Sequence, residues 1–450
     1  MNFSDYKNFT DNHKKEYGSY ASKYPHAFLA LHFPSHLRVL QKYERTWVKP
    51  EHLQTYFNST TALDPMKHLY SIFLKIALFF KMKSSNSKLT IHSSISDSNF
   101  PGFTDVLSKI TKKNNWNLIY PITPSTSFWD IFSLKAISPY QTLLSMKTKK
   151  ILSKFNVDTD QEWFDLLDND QLMSALDDSL LNDVYQAAKL TCRLAVSIYI
   201  NTGDTSAQAR ILVSASKINN FKVVSIAHGY ATDDKLCGFA PVMSDKLILW
   251  TQKQLNDMSD VLPPEQSKKL SFIGFPKKYL SQAPTTSDAP ILMLAGFIEP
   301  ILLNKESKNI LTHTISELQK MSDNFKLRLH PHERHGVKII EQFLAKHSID
   351  VSVDNLEEDI ANARLIIGMH TSTLIEAAST GKAVFEIKEL AHHYSHYTVH
   401  AFEAVHSISY QDLNRLNLTQ IDNFSESYLK FDEEKMSIEL QELLCSLAPA

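Results

Sequence analysis

A histidine, a run of hydroxyls and a carboxylate fall in two short stretches of this chain that share one setting. The first is Arg328-Leu329-His330-Pro331, and the second is Gly368-Met369-His370-Thr371-Ser372-Thr373-Leu374-Ile375-Glu376. Each follows a short apolar run that reads as a buried strand, and the second opens directly into a helix. A strand that delivers His, Ser and Thr to the start of a helix builds an anion site, because free N–H groups and hydroxyls converge there. The chemistry that fits is a grip on phosphate, most naturally the mono- or diphosphate of an activated sugar.

Within these stretches each residue type has a task. His330 at a strand end can donate to a phosphate oxygen or act as an acid on a leaving phosphate. Pro331 removes a backbone donor and fixes the direction in which the chain leaves the strand. Gly368 permits close backbone approach, and Ser372 and Thr373 offer hydroxyls to the anion. Glu376 stands three residues after Thr373, so it either completes a capping box or accepts from ribose hydroxyls. Upstream, His228-Gly229 ends another apolar run. His228 could deprotonate an acceptor hydroxyl or hold a donor, with Gly229 allowing the turn away. Asp233 and Asp234 follow closely and are carboxylate candidates for activating an acceptor, although such pairs commonly just solvate a loop.

Two histidine clusters raise metal chemistry. His330, His332 and His335 resemble the His-x-His-x-Asp-His signature of the metallo-β-lactamase fold, but Arg334 occupies the carboxylate position, and a guanidinium repels a cation. His392, His396 and His400 share a helical face without a carboxylate or Cys at ligand spacing. No metal site is therefore expected.

Positioning these groups calls for alternating strands and helices. Phe221–Ala227 and Lys246–Trp250 read as strands of a first α/β unit. Leu194–Ile200 reads as another, followed by a helix with Ile211, Leu212, Ala215 and Ile218 on its apolar face. The second unit has expected strands at Ile291–Ala295, Lys326–Leu329, Ile349–Val353, Leu365–Ile367 and Ala383–Ile387. Ser281–Pro290 is the most linker-like stretch between the two. The expected organisation is a first Rossmann-like, acceptor-side domain over residues 1–280 with a helical insertion at about 138–193. A second, nucleotide-sugar-binding Rossmann-like domain follows over 288–425, and a helix over 426–450 is expected to pack back on the first. Two doubly wound sheets bind ligands outside the carboxyl ends of their strands, so the two domains should face one cleft.

Composition narrows the partners. The chain has 450 residues, long for one core and suited to two domains. Its formal net charge of −2 provides no global basic field, which argues against a nucleic-acid partner. Three widely spaced cysteines (Cys192, Cys237, Cys445) do not make a disulfide framework and suit a reducing cytoplasm. The longest apolar run, Leu69 to Phe80, is interrupted by Lys75 and is shorter than the roughly 20 residues of a membrane span. A peripheral membrane association is the most that it allows.

The ordered series His228-Gly229, Gly274-Phe275-Pro276, Arg328-Leu329-His330-Pro331 and Gly368…Ser372-Thr373…Glu376-Ala377-Ala378…Gly381-Lys382-Ala383-Val384 resembles the GT-B glycosyltransferases of bacterial surface polysaccharides. The likeness covers residues 194–387 and is nearest to the capsule, sialyl-, Kdo- and polyol-phosphate-transferring branches. It implies an α/β fold of two Rossmann-type domains facing a cleft, here with a helical N-terminal elaboration. It also implies a metal-independent transferase without a resident cofactor, located in the cytoplasm or at the inner face of the inner membrane. The resemblance places the donor phosphate on His330, Ser372 and Thr373. The family's acceptor-side base is commonly a carboxylate in an acidic-acidic-Gly motif. Here Asp233-Asp234 is followed by Lys235, which leaves His228 as a competitor for that role. The expected co-substrate is a nucleotide sugar, first a CMP-linked acidic sugar such as a sialic-acid-like sugar or Kdo, with a glycan or lipid-linked glycan as acceptor. The alternatives are a CDP-polyol phosphotransferase, a UDP-sugar transferase or epimerase of the same fold, a non-catalytic sugar-nucleotide-binding protein, and a metal-dependent hydrolase.

Overall fold

A computed structural model describes residues 89–95, 100–120, 184–185, 187–192, 194–203, 207–227, 229, 242–279, 288–296, 298–330, 333, 337–369, 371–393, 405–416 and 431–448. Two parallel sheets dominate them. The first contains β1 (Thr90–Ser93), β2 (Asn117–Ile119), β3 (Ile198–Thr202), β4 (Lys222–Ile226), β5 (Lys246–Leu249) and β6 (Leu270–Phe272), in the order β2-β1-β3-β4-β5-β6. The second contains β7 (Ile291–Ala295), β8 (Phe325–Arg328), β9 (Leu365–Met369), β10 (Val384–Ile387) and β11 (His406–Ile408), in the order β11-β10-β9-β7-β8. Both sheets thus start in the middle, step outward once, then cross back and run to the other edge.

That winding creates a switch point in each sheet, between β1 and β3 and between β7 and β9, where the crossovers diverge and leave a crevice at the carboxyl ends. Sequence and burial agree with it. Every residue of β7 and of β9 is buried, as expected of strands covered on both faces. In the first unit the crossover helices include α1 (Phe103–Lys113) and α2 (Ala207–Asn219), followed by α3 (Gln252–Val261) and α4 (Pro264–Ser267). The second uses α5 (Glu299–Leu303), α6 (Lys305–Met321), α7 (Lys338–His347), α8 (Leu356–Asn362), α9 (Thr373–Ala378) and α10 (Lys388–His393). The chain leaves α9 through Gly381, whose φ of 77° suits a residue without a Cβ.

The last helix, α11 (Glu433–Leu447), lies on α1 of the first unit. Its Met436, Leu440 and Leu444 recur every four residues and are buried in one cluster with Phe103, Leu107 and Ile110. Glu433 also pairs with Lys109 across this contact. One apolar cluster runs through both sheets, joining Ala227, Leu249 and Trp250 of the first to Leu294, Ile366, Leu374 and Val384 of the second. The junction between the units is therefore a packed core. Among the described residues no helix is long and apolar enough to cross a membrane.

Two expected elements differ, and two observed strands were not expected. Leu194–Ile200 is not one strand: the Leu194 N–H donates to the Leu190 carbonyl, Ala195 turns at φ 50°, and extended chain begins only at Ile198. The apolar run combined a helix end with a strand. Ile349–Val353 makes only a single bridge, Leu327 to Val351, closed by the Leu327 N–H on the Asp350 carbonyl and the Ser352 N–H on the Leu327 carbonyl. The edge strands β6 and β11 were not anticipated; each is only three residues long, too short to show a strand period. The expected helical insertion at about 138–193 lies almost wholly outside the described residues.

Candidate active site

The second unit's switch point is where the hydroxyl-rich stretch arrives. β7 and β9 end side by side, the Gly296 N–H donating to the Met369 carbonyl at 3.0 Å. The chain then passes into Thr371-Ser372-Thr373. Thr371 takes the local turn-holding role: its Oγ1 accepts from the Thr373 N–H at 3.2 Å and lies 2.9 Å from Thr373 Oγ1. Ser372 occupies the N-cap position of α9, yet its side chain makes no capping bond. Its hydroxyl is therefore not spent on the helix.

Gly368 has a different task from the one its sequence suggested. A Cβ there would come within 2.6 Å of Leu374 Cδ2 and 2.8 Å of the Leu294 carbonyl oxygen. The close approach it permits is that of α9 and strand β7, so it acts through packing rather than by opening backbone to a ligand.

Glu376 does not form a capping box with Thr373. It is 5% exposed, and its carboxylate faces the first unit. Lys277 Nζ donates to Oε1 at 2.7 Å, and the Tyr279 hydroxyl donates to Oε2. Both oxygens are thus engaged, rather than held open for ribose. Lys277 and Tyr279 come from the segment that follows β6, where Gly274 turns at φ 97°. The Lys277 ammonium also lies over the rings of Trp250 at 4.6 Å and Phe100 at 5.2 Å, which help to hold a cation that is largely out of water. Burial, reinforced by the neighbouring Glu376 carboxylate and its hydrogen bond, pushes the Tyr279 phenol well above its ordinary value.

The first unit reaches the same place. Gly229, just past β4, lies against Ser372: a Cβ at residue 229 would sit 3.2 Å from Ser372 Oγ. The chain flanking position 228 is anchored on both sides. The Trp250 indole N–H donates to the Ala227 carbonyl at 2.6 Å, and Gln254 Nε2 lies 3.5 Å from the Gly229 carbonyl. His228, Asp233, Asp234 and Pro331 themselves lie outside the described residues, as do His332, Arg334 and His335 and the side chains of His392, His396 and His400.

His330 stands two residues beyond β8 and is half-buried. Its carbonyl accepts from the Glu333 N–H at 2.8 Å. The buried Glu333 carboxylate in turn accepts from the N–H groups of Ile298 at 2.7 Å and Glu299 at 2.9 Å. This ties the loop after β8 to the start of α5, so His330 is held at the carboxyl edge of the second sheet. Arg328 is committed to structure: it donates to the Asp354 carbonyl at 2.7 Å and pairs with the buried Asp359. Among the described residues no group of three or more His, Cys, Asp or Glu is placed to hold a metal.

Sequence reasoning passed over Lys277, Tyr279, Trp250 and Phe100. A lysine after Phe275-Pro276 reads as surface, and only the position of Glu376 in space shows why it is buried.

No family model matches the chain, and no curated protein matches it either. Solved structures do. A candidate UDP-N-acetylglucosamine 2-epimerase from Listeria monocytogenes superposes with a TM-score of 0.51 at 10% identity, covering 80% of this chain and 96% of that one. The UDP-GlcNAc 2-epimerase of Neisseria meningitidis, solved with UDP-GlcNAc bound, gives 0.47 at 13% identity over 80% of this chain and 99% of its own. MurG of Acinetobacter baumannii gives 0.43 at 10% identity over 79% and 99%. At such identities the likeness defines architecture, and that architecture is the GT-B fold of two parallel-sheet α/β domains.

Proposed function

We propose that this protein is a metal-independent enzyme that binds a UDP-sugar in the second domain and acts on it at the domain junction, as a glycosyltransferase. The observation that carries this reading is the meeting of Ser372, at the switch point of the second sheet, with Gly229, at the carboxyl end of a first-domain strand. A ligand held at one crevice is there presented to groups of the other domain, which is the geometry a two-substrate transfer requires. Ser372 Oγ, the Thr373 hydroxyl and His330 are the proposed donor-phosphate contacts. His228 and the carboxylates Asp233 and Asp234 are the proposed acceptor-side groups, and a glycan is the proposed acceptor. The nucleotide sugar is a co-substrate; no resident cofactor enters the reading.

UDP replaces the CMP-linked acidic sugar expected from the sequence resemblance. Support comes from the Listeria protein, whose description names a UDP-sugar and whose fold this chain shares. That description also favours a second reading, a UDP-sugar epimerase, which needs no acceptor. Incubating a UDP-sugar with the protein alone distinguishes the two: an epimerase changes the sugar's stereochemistry without any acceptor present.

The decisive measurement is thermal stabilisation by UDP, CMP, CDP, GDP and ADP. A nucleotide at about 100 times its Kd stabilises the native state by about 2.7 kcal/mol. UDP should give the largest shift. A preference for CMP would restore the acidic-sugar donor, and no shift with any nucleotide would defeat the nucleotide-sugar reading.

A further inference from the structure

We propose that Lys277 and Tyr279 are positioning residues that clamp Glu376 and thereby hold Ser372 against the first domain. The mechanical consequence rests on geometry alone; its value for catalysis rests on the UDP-sugar reading.

Ser372 and Glu376 are four residues apart at the start of α9, so they share one helix face. Both meet the first domain, Ser372 at Gly229 and Glu376 at Lys277 and Tyr279. The clamp is rooted on the first-domain side. Lys277 sits in the angle between Phe100 and Trp250, and the next residue, Lys278, donates its N–H to the Pro101 carbonyl at 2.7 Å. Trp250 in turn is bound through its indole N–H to Ala227, two residues from Gly229. A closed circuit results: Gly229, Ala227, Trp250, Lys277, Glu376, Ser372. Every step in it is a packing contact, a hydrogen bond, an ion pair or covalent chain.

The circuit has little slack, because the pair is 9% and 7% exposed at its side chains and water cannot substitute for either partner cheaply. Apolar contacts alone slide, whereas a doubly bonded carboxylate has one arrangement. Lys277 and Tyr279 therefore set where the Ser372 hydroxyl lies relative to Ala227 and Gly229.

Removing one partner leaves a buried polar group alone and risks misfolding, so the test replaces all three. Lys277→Met and Tyr279→Phe with Glu376→Leu match the side-chain volumes while deleting the clamp. Small-angle X-ray scattering is recorded for wild type, this triple variant and Lys277→Arg, each with and without UDP. Wild type and Lys277→Arg should be compact in both conditions. The triple variant should show a larger radius of gyration without UDP and contract when UDP is added, a response that a purely structural cluster would not produce. A scattering curve for the triple variant that superposes on wild type without ligand overturns the proposal. If wild type shows no response to UDP in the thermal assay, the UDP reading fails while the ligand-free scattering comparison still decides the clamp.

Discussion

Gly229 and Ser372 are 143 positions apart in the chain, yet a single methyl group at residue 229 would stand 3.2 Å from the Ser372 hydroxyl oxygen. One belongs to the strand end of the first sheet and the other to the switch point of the second. Their contact sets the carboxyl end of β4 against the start of α9, and it makes the size of residue 229 a control on the orientation of Ser372.

Gly229→Ala tests that control. The group that would be crowded is the free end of a rotatable side chain rather than backbone, so the fold can adapt by turning Ser372 Oγ aside. Stability should stay within about 1 kcal/mol of wild type. UDP affinity should fall about five- to tenfold, the loss of about one hydrogen bond. Isothermal titration with UDP reads the effect, and unchanged affinity would remove Ser372 from the site.

His330→Ala should cost about 1.5–3 kcal/mol in binding of the donor or its transition state. Thermal stability should change little, because the variant keeps the Glu333 N–H bond to the residue 330 carbonyl and the Glu333 carboxylate bonds to the start of α5. UDP-sugar turnover and a melting curve read the two quantities together. Full activity in the variant would reduce His330 to a strand-end residue.

Tyr279 gives the structure an alkaline sensitivity. The folded state favours the neutral phenol, since burial and the nearby carboxylates of Glu376 and Glu357 all oppose the phenolate. Above the unfolded value of about 10 the folded state holds more protons than the unfolded one, so stability falls as pH rises. The stabilising contribution is complete below about pH 10 and is lost above it. Tyr279→Phe should unfold less steeply between about pH 10 and 11.5 than wild type, although it is less stable at neutral pH. Urea titrations at both pH values check the sign, and parallel losses in the two proteins would contradict it.

What the sequence revealed and what it hid divide along a physical line. β7 and β9 were legible because a strand buried on both faces reads as an unbroken apolar run, and Ile291–Ala295 and Leu365–Ile367 are such runs. The edge strands β6 and β11 escaped because three residues are too few to show a period. The doubly wound fold class followed from strand–helix alternation alone. The joint between domains did not, because no periodicity marks an ion pair between residues 277 and 376. Glu376 shows the cost: three residues from Thr373 it looks like a capping partner, while the lower-energy use of its carboxylate lies in another domain.

Gly368→Ala should show how far packing beneath α9 governs the site above it. The added methyl meets Leu374 Cδ2 at 2.6 Å and the Leu294 carbonyl at 2.8 Å, and the second is backbone of the central strand β7. A side-chain terminus can rotate away; a paired strand cannot, so part of the overlap must be relieved by moving β9 or α9. The expected cost is about 1–3 kcal/mol of folding stability, measured by urea denaturation. Truncating Leu374 to Ala in the same chain removes one of the two collisions. The double variant should therefore be more stable than the sum of the single effects allows, by about 0.5–1.5 kcal/mol of coupling. Leu374 follows Ser372 by two residues, so the relief also displaces the hydroxyl. UDP affinity in Gly368→Ala should fall at temperatures where the variant is fully folded and recover in part in the double variant. Full stability in Gly368→Ala would mean that α9 does not rest on β9 as closely as the geometry requires.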